Sequence, residues 1–123
     1  MRLLLDTHVL IWWDEGRRLA DGARQAITDA DEVFVSAASA WEITIKIGLG
    51  RLRTTRAVQD ATTESGFMEL PITFQHAITV ARLPHHHRDP FDRLLAAQAM
   101  TERLILVTRD QAFEPYDLET ITA

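Results

Sequence analysis

Short apolar runs alternate with longer segments of helical periodicity along this chain, and this alternation limits the fold more than any other feature. The first run, residues 2–5, stops at Asp6 and is typical of a strand buried inside a parallel sheet. Parallel strands need long crossover connections, which the helical segments between the runs can supply. The sequence therefore predicts an α/β fold in which helices cover both faces of a parallel sheet.

The predicted elements follow from hydrophobic periodicity and from residues that favour helix ends. Residues 90–101 form the clearest helix, because apolar side chains recur on one side of it. Strands are expected over residues 2–5, 33–35, 67–70 and 104–107, with a weaker one over 118–121. The other helices are expected over residues 9–13, 19–30, 36–48, 55–65 and 73–81.

Residues 36–48 have an ambiguous pattern. Three isoleucines alternate with polar residues as they would in a strand, whereas the alanines before them favour a helix. We choose a helix for three reasons: a capping-box pattern from Ser39 to Glu42, a favourable i,i+4 pair of Glu42 with Lys46, and a suitable C-terminal stop at Gly48.

Length and composition suit one domain over residues 1–123, since the chain is 46% hydrophobic. It has no cysteine, so any metal must be held by carboxylate or imidazole groups. The first residues resemble the start of a signal peptide, but Asp6 and His8 interrupt the apolar run. No run approaches the roughly 18 apolar residues of a membrane span. We therefore expect a soluble, cytoplasmic protein with no membrane contact.

The net charge of −5 argues against broad, nonspecific electrostatic binding to nucleic acid, although it leaves room for a local site. Basic residues cluster in two places, where solvated loop charge is the simpler interpretation. His85, His86 and His87 fall in the second cluster, where phosphate contact or solvent exposure is favoured over a metal role. The clusters are Arg51, Arg53 and Arg56, and residues 82–88.

Four acids are candidates for one functional site. Asp6 and Asp110 follow the first and fourth predicted strands, and Glu42 and Asp92 are expected on the first turns of helices. In parallel α/β sheets, groups just beyond the carboxyl ends of the strands meet at one edge, where ligands bind. The four carboxylates are therefore expected to converge.

Each acid also has a local structural explanation. Asp89 suits an N-cap because Pro90 follows it at the first helical position, and Asp92 is the favoured acid at the third. Capping does not, however, require acids after the apolar strands at both ends of the chain. The remaining local explanations are capping of the next helix by Asp6, completion of the capping box by Glu42, and a turn shaped by Asp110.

Converging carboxylates repel one another at low dielectric, so that either some stay protonated or a cation compensates them. Oxygen ligands without thiolate favour Mg²⁺ or Mn²⁺, and an ion held in this way can support phosphodiester hydrolysis. Thr7, Ser36 and Thr108 could hold metal-bound water or a phosphate oxygen, but bonding to nearby backbone is an equally good explanation. The three tryptophans are assigned to the core or to a subunit interface.

Four segments in this order resemble the PIN-domain ribonucleases, and among them the VapC-type toxins of toxin–antitoxin pairs. They are residues 3–8 (LLLDTH), 35–43 (VSAASAWEI), 89–99 (DPFDRLLAAQA) and 107–110 (VTRD). An acid after an apolar run is common, but these four pieces in this order over 123 residues are a strong signal.

The resemblance implies a three-layer α/β/α sandwich and a metal-dependent endoribonuclease that uses Mg²⁺ or Mn²⁺. It implies a homodimer and a cognate antitoxin whose tail occupies the acidic cleft. By the same likeness the acidic quartet is Asp6, Glu42, Asp92 and Asp110, with Asp89 as a runner-up ligand and Thr7, Ser36 and Thr108 as auxiliary contacts.

Two other functions remain open from the residues. One is a non-catalytic phospho-acceptor switch of the receiver type, which also has an acidic Mg²⁺ pocket. That fold needs adjacent acids after its first strand and a lysine after a late strand, whereas Thr7 follows Asp6 and residues 107–109 contain no lysine. The other is a degenerate PIN module that only mediates interactions.

Overall fold

The computed structural model describes residues 1–17, 19–85 and 88–123. In that part of the chain, parallel strands form one five-stranded sheet in the order β3-β2-β1-β4-β5. The strands are β1 (Arg2–Leu5), β2 (Glu32–Ser36), β3 (Met68–Leu70), β4 (Ile105–Thr108) and β5 (Thr120–Thr122). The helices are α1 (Thr7–Asp14), α2 (Asp21–Asp29), α3 (Ala37–Gly48), α4 (Val58–Glu64), α5 (Phe74–Arg82) and α6 (Pro90–Glu102), with a 3₁₀ turn over Gln111–Phe113.

The sheet separates two apolar cores, as the apolar strand sequences predict. Along β1, Leu3 and Leu5 face one core and Leu4 faces the other, and all three are fully buried. Ala23 and Ile27 of α2 pack in the first core, while Leu95 of α6 packs in the second. The predicted α/β/α layering is therefore confirmed.

The strand order determines where a ligand can bind. The chain passes from β1 outward to β2 and β3, then returns across β1 to β4 and β5. The carboxyl ends of β1 and β4 therefore flank the point where the order reverses, which is the usual ligand position in such sheets. Receiver-type folds have the order 2-1-3-4-5. The phospho-acceptor alternative is therefore wrong.

The start of α3 differs from the prediction. Ser36 is the N-cap, and its hydroxyl accepts from the Ala38 backbone N–H at 3.0 Å. Ser39 lies inside the helix and is buried, so the capping box from Ser39 to Glu42 is wrong. Glu42 consequently lies on the second turn of α3, one turn later than expected.

The first residues of other helices also differ from the prediction. α1 begins directly after Asp6, and α2 and α4 begin two and three residues later than predicted. α3 ends at Gly48 as predicted, and Gly50, with φ of +70°, is the left-handed residue that follows the C-cap. No helix in the described ranges has the length and apolar character needed to cross a membrane.

Candidate active site

The carboxyl edge of the sheet carries an acidic pocket of about 360 Å³. Asp6 follows β1, Asp110 lies two residues beyond β4, and Asp92 is on the first turn of α6. Four separate chain segments thus supply the carboxylates, as the strand-end argument predicts. The described residues that line this acidic pocket are Asp6, His8, Trp12, Glu42, Lys46, Asp89, Asp92, Arg109 and Asp110.

Asp6, directly after β1, is a buried carboxylate, with 6% of its surface exposed. Burial raises the pKa of Asp6, opposed by a hydrogen bond from Thr108 and by the nearby His8. The Thr108 hydroxyl donates to Asp6 Oδ2 at 2.7 Å. Asp6 occupies the N-cap position of α1 without a side-chain capping bond, so the local explanation for this acid is wrong.

Glu42 is held from two sides and is 3% exposed. Lys46 Nζ donates to Glu42 Oε2 at 2.6 Å, which confirms the predicted i,i+4 pair. The Thr7 hydroxyl lies 2.8 Å from Glu42 Oε1 and 2.9 Å from Ser39 Oγ. Because a hydroxyl has a single proton, Thr7 donates to the carboxylate and accepts from Ser39. Thr7 therefore fixes the position of Glu42.

Lys46 brings a cation into the acidic pocket. Its hydrogen bond with Glu42 raises its pKa, and the charges of Glu42, Asp89 and Asp92 raise it further against the opposing effect of burial. The ammonium group therefore stays protonated at neutral pH and neutralises part of the carboxylate charge. Sequence reasoning identified the pair with Glu42 but did not place Lys46 in the site.

The two acids at the start of α6 have different surroundings. Asp89 Oδ1 accepts from the backbone N–H groups of Phe91 at 2.8 Å and Asp92 at 3.4 Å. With Pro90 next to it, this confirms the predicted N-cap. Asp89 nevertheless lines the acidic pocket together with Asp92, and both are half-buried. The helix therefore begins at the pocket, and its N-terminal dipole favours negative charge there.

Asp110 is exposed and begins the 3₁₀ turn, where its Oδ1 accepts from Ala112 N–H at 2.9 Å. The turn predicted for this acid is confirmed. Its own backbone N–H donates to the Thr108 hydroxyl at 3.0 Å. Thr108 therefore links the acids that follow β1 and β4.

Ser36 lies away from the acidic pocket. Its hydroxyl donates to Gln98 Oε1 at 2.5 Å, and it lines a separate groove at the ends of β2 and β3. Gln98 also lies 3.3 Å from the buried His76. Ser36 therefore belongs to a buried polar network with Gln98 and His76. His85 is exposed, and His86 and His87 fall outside the described residues.

The residues of the acidic pocket fit a hard divalent cation by their donor chemistry. They offer carboxylate oxygens beside the Thr7 and Thr108 hydroxyls, and burial disfavours the charged form of Asp6, which a cation would stabilise. Within residues 1–17, 19–85 and 88–123, no three Asp, Glu or His side chains already stand at ligand distances. Binding an ion therefore requires these side chains to turn toward one another.

His8, Trp12 and Arg109 also line the acidic pocket and were not predicted as site residues. His8 and Trp12 lie one turn apart on α1 with ring centroids 5.9 Å apart. The only signal for them in the sequence is their proximity to Asp6 and Asp110 along the chain. Their side-chain directions depend on where α1 and the segment after β4 pack.

Comparison with known proteins identifies the family of this chain. The model of the PIN domain family matches residues 3–118. This chain belongs to the PIN-domain family. It is 35% identical to Ribonuclease VapC22 of Mycobacterium tuberculosis over 118 residues, which cover 89% of this chain and 87% of that protein.

Solved structures of toxin–antitoxin systems contain chains with a similar fold. VapBC-5 of M. tuberculosis, a member of the VapBC family of toxin–antitoxin systems, matches with a TM-score of 0.65 and 28% identity, over 99% of this chain and 98% of that one. VapBC2 of Rickettsia felis, bound to a promoter DNA fragment, matches with a TM-score of 0.72 over 98% of both chains. Its 14% identity supports a likeness of fold alone.

Proposed function

We propose that this protein is a metal-dependent endoribonuclease and the toxin of a toxin–antitoxin pair, located in the cytoplasm with its RNA substrates. One observation carries the proposal: carboxylates from four separated chain segments line one pocket at the carboxyl ends of β1 and β4. The similarity to Ribonuclease VapC22 supports the same reaction class.

We assign Asp6, Asp92 and Asp110 as the residues that would hold Mg²⁺ or Mn²⁺. Glu42 would hold a second ion or orient the attacking water. When bound, the cation supplies Lewis-acid stabilisation of charge on the phosphoryl oxygens and lowers the pKa of water. Asp89, already occupied as an N-cap, serves as an accessory carboxylate.

The chain's own groups prepare the acidic pocket for this reaction. Thr108 orients Asp6, and Thr7 orients Glu42, so that two buried carboxylates keep fixed positions. The Lys46 ammonium group donates a hydrogen bond to Glu42, and its positive charge reduces the electrostatic repulsion among the carboxylates. Such fixed groups reduce the reorganisation that the reaction requires.

The nuclease assay uses the purified full chain with single-stranded and structured RNAs in buffer containing Mg²⁺ or Mn²⁺. We expect cleavage by the wild type, loss of cleavage with EDTA, and a fall of at least about 100-fold in Asp92→Asn. The control Asp117→Asn removes an exposed carboxylate outside the acidic pocket and should cleave normally. Intact RNA with the wild type would contradict the proposal and favour the degenerate interaction module.

An antitoxin is the partner we propose for the acidic pocket. One chain of a solved toxin–antitoxin complex from Klebsiella pneumoniae has a fold similar to that of this chain. The acidic pocket and the net charge of −5 favour a basic antitoxin segment over an acidic one. The gene immediately upstream should encode a small protein that co-purifies with this chain and suppresses cleavage. A co-expressed upstream product that leaves cleavage unchanged would contradict this partner.

We also propose a homodimer. Trp41 of α3 and Phe74 of α5 are 60% and 88% exposed, and Ile45 and Ile78 follow them one turn later. Exposed apolar side chains at this spacing are typical of an interface. Light scattering should give twice the chain mass for the wild type and one chain mass for Phe74→Lys. A monomeric wild type would contradict the dimer.

A further inference from the structure

A second groove, of about 510 Å³, adjoins the acidic pocket and carries the opposite charge. Trp12, Gly16, Arg17 and Arg109 line it. Trp12 and Arg109 also line the acidic pocket, so these two side chains form the wall between the two spaces. We call the second space the basic groove. Among its described lining residues there are two guanidinium groups and no carboxylate.

The guanidinium of Arg109 is held in one orientation although the residue is exposed. Its central carbon lies 4.2 Å from the centre of a Trp12 ring, and its Nε donates to the Ala123 carbonyl at 3.1 Å. A stacked aromatic ring restricts the plane of the guanidinium, and the Nε bond restricts its rotation. Arg109 therefore loses little side-chain entropy when it binds a ligand.

The second cation of the basic groove, Arg17, is less constrained. It makes a surface ion pair with Glu15 at 3.5 Å, which is weak in water. Gly16 lies between them with φ of +68°, directly after the C-cap of α1 at Glu15. The positive φ favours glycine at this position, and a Cβ there would meet no atom within 4 Å.

An acidic pocket by itself repels a polyanion, and the protein's net charge of −5 adds to that repulsion. An adjoining basic groove provides the local attraction that the net charge does not. Guanidinium groups bind phosphate through two parallel N–H bonds, and the planar group stacks on bases as well as on aromatic rings. Trp12 and Arg109 line both spaces, so the basic groove lies directly beside the acidic pocket.

We propose that the basic groove holds the single-stranded RNA backbone next to the reacting phosphodiester, with Arg109 as its phosphate ligand and Trp12 as the residue that orients Arg109. This inference rests on the proposed ribonuclease function and adds the residues that bind the substrate outside the acidic pocket. Arg17 adds a second, weaker phosphate contact.

The test measures RNA binding in the absence of cleavage. The Asp92→Asn protein is titrated into a fluorescein-labelled single-stranded oligoribonucleotide of about 12 nucleotides in EDTA, at several salt concentrations. Adding Arg109→Gln should weaken binding about tenfold or more and reduce the slope of log affinity against log salt by about 0.7. Trp12→Leu should weaken binding with Arg109 still charged, and Trp12→Phe should restore it.

Arg103→Gln is the matched control, because it removes the same charge from an exposed residue at the opposite edge of the sheet, just before β4. It should leave both affinity and salt slope close to those of the parent. Equal effects of Arg109→Gln and Arg103→Gln would overturn the proposal. Unchanged RNA affinity with tighter Mn²⁺ binding in Arg109→Gln would assign Arg109 as a counter-ion of the acidic pocket instead.

Two further outcomes separate this inference from others. If a polyaspartate peptide loses affinity on Arg109→Gln as much as RNA does, the basic groove is a general anion site and the RNA assignment is wrong. If the wild type fails to cleave RNA with Mg²⁺ or Mn²⁺ but binds it through Arg109, the proposed reaction fails while the binding site stands. Thermal unfolding of each variant checks that the fold is intact.

Discussion

Asp6→Asn should make the metal-free protein more stable at neutral pH while it removes a metal ligand. The wild-type carboxylate is buried, and its burial outweighs the hydrogen bond from Thr108. An asparagine amide has nearly the same shape, carries no charge and can still accept the Thr108 hydrogen bond. Substitutions that relieve such functional strain commonly add about 0.5–2 kcal/mol to the free energy of unfolding.

The pH dependence follows from the direction of the pKa change. Because the pKa of Asp6 is raised above its ordinary value of 3.8, the folded state binds the proton more tightly than the unfolded state. At low pH the Asp6 carboxyl is protonated in both states and does not lower the free energy of unfolding. As the pH rises through the raised pKa, its ionisation lowers the free energy of unfolding. The stability gain of Asp6→Asn should be largest at neutral pH and should shrink as the pH falls toward 3.8.

Thermal unfolding in EDTA and in Mn²⁺ measures both effects. For a chain of 123 residues, 1 kcal/mol corresponds to about 4 °C in Tm, so the metal-free gain should be about 2–8 °C. Mn²⁺ at about 100 times its Kd should stabilise the wild type by about 2.7 kcal/mol, or roughly 10 °C, and Asp6→Asn much less. The order of the two melting temperatures should therefore reverse when the metal is added.

Asp110→Asn is the control for burial. This carboxylate lines the same acidic pocket but is exposed, and asparagine retains its bond to the Ala112 N–H. Asp110→Asn should leave the metal-free Tm within about 2 °C of the wild type and still reduce the Mn²⁺ effect. A lower metal-free Tm for Asp6→Asn at neutral pH would refute the argument from burial.

Three further substitutions test other parts of the structure by urea unfolding. Lys46→Met should destabilise the metal-free protein by about 1–3 kcal/mol, because among the described residues Glu42 then keeps only the Thr7 hydroxyl as a hydrogen-bond partner. Glu42→Gln in the same chain should recover most of the loss. Ser36→Ala should cost about 1–2 kcal/mol while the cleavage rate per folded molecule changes less than about twofold; a lost cleavage rate would contradict its structural role. Gly50→Ala should cost about 1 kcal/mol because its φ is positive, whereas Gly48→Ala in the helix should be neutral or stabilising, and equal effects would contradict the left-handed conformation of Gly50.

Local sequence determined most elements and several contacts of the candidate site. The apolar runs predicted the strands, and Asp89 with Pro90 predicted the start of α6, because capping involves atoms only two or three residues apart. The pair of Glu42 with Lys46 depends only on helical spacing and was likewise predictable. The acids after β1 and β4 were expected to meet because parallel strands end at one edge.

Tertiary structure alone decided which hydroxyls reach the acidic pocket and which cations line it. The bond between Thr108 and Asp6 joins residues 102 positions apart, and Ser36 turns to Gln98 instead of the acids. Arg109 meets Trp12 only because β4 lies beside β1 in the sheet. Such contacts depend on strand order and on how the helices pack across the sheet, and neither is encoded within a few neighbouring residues.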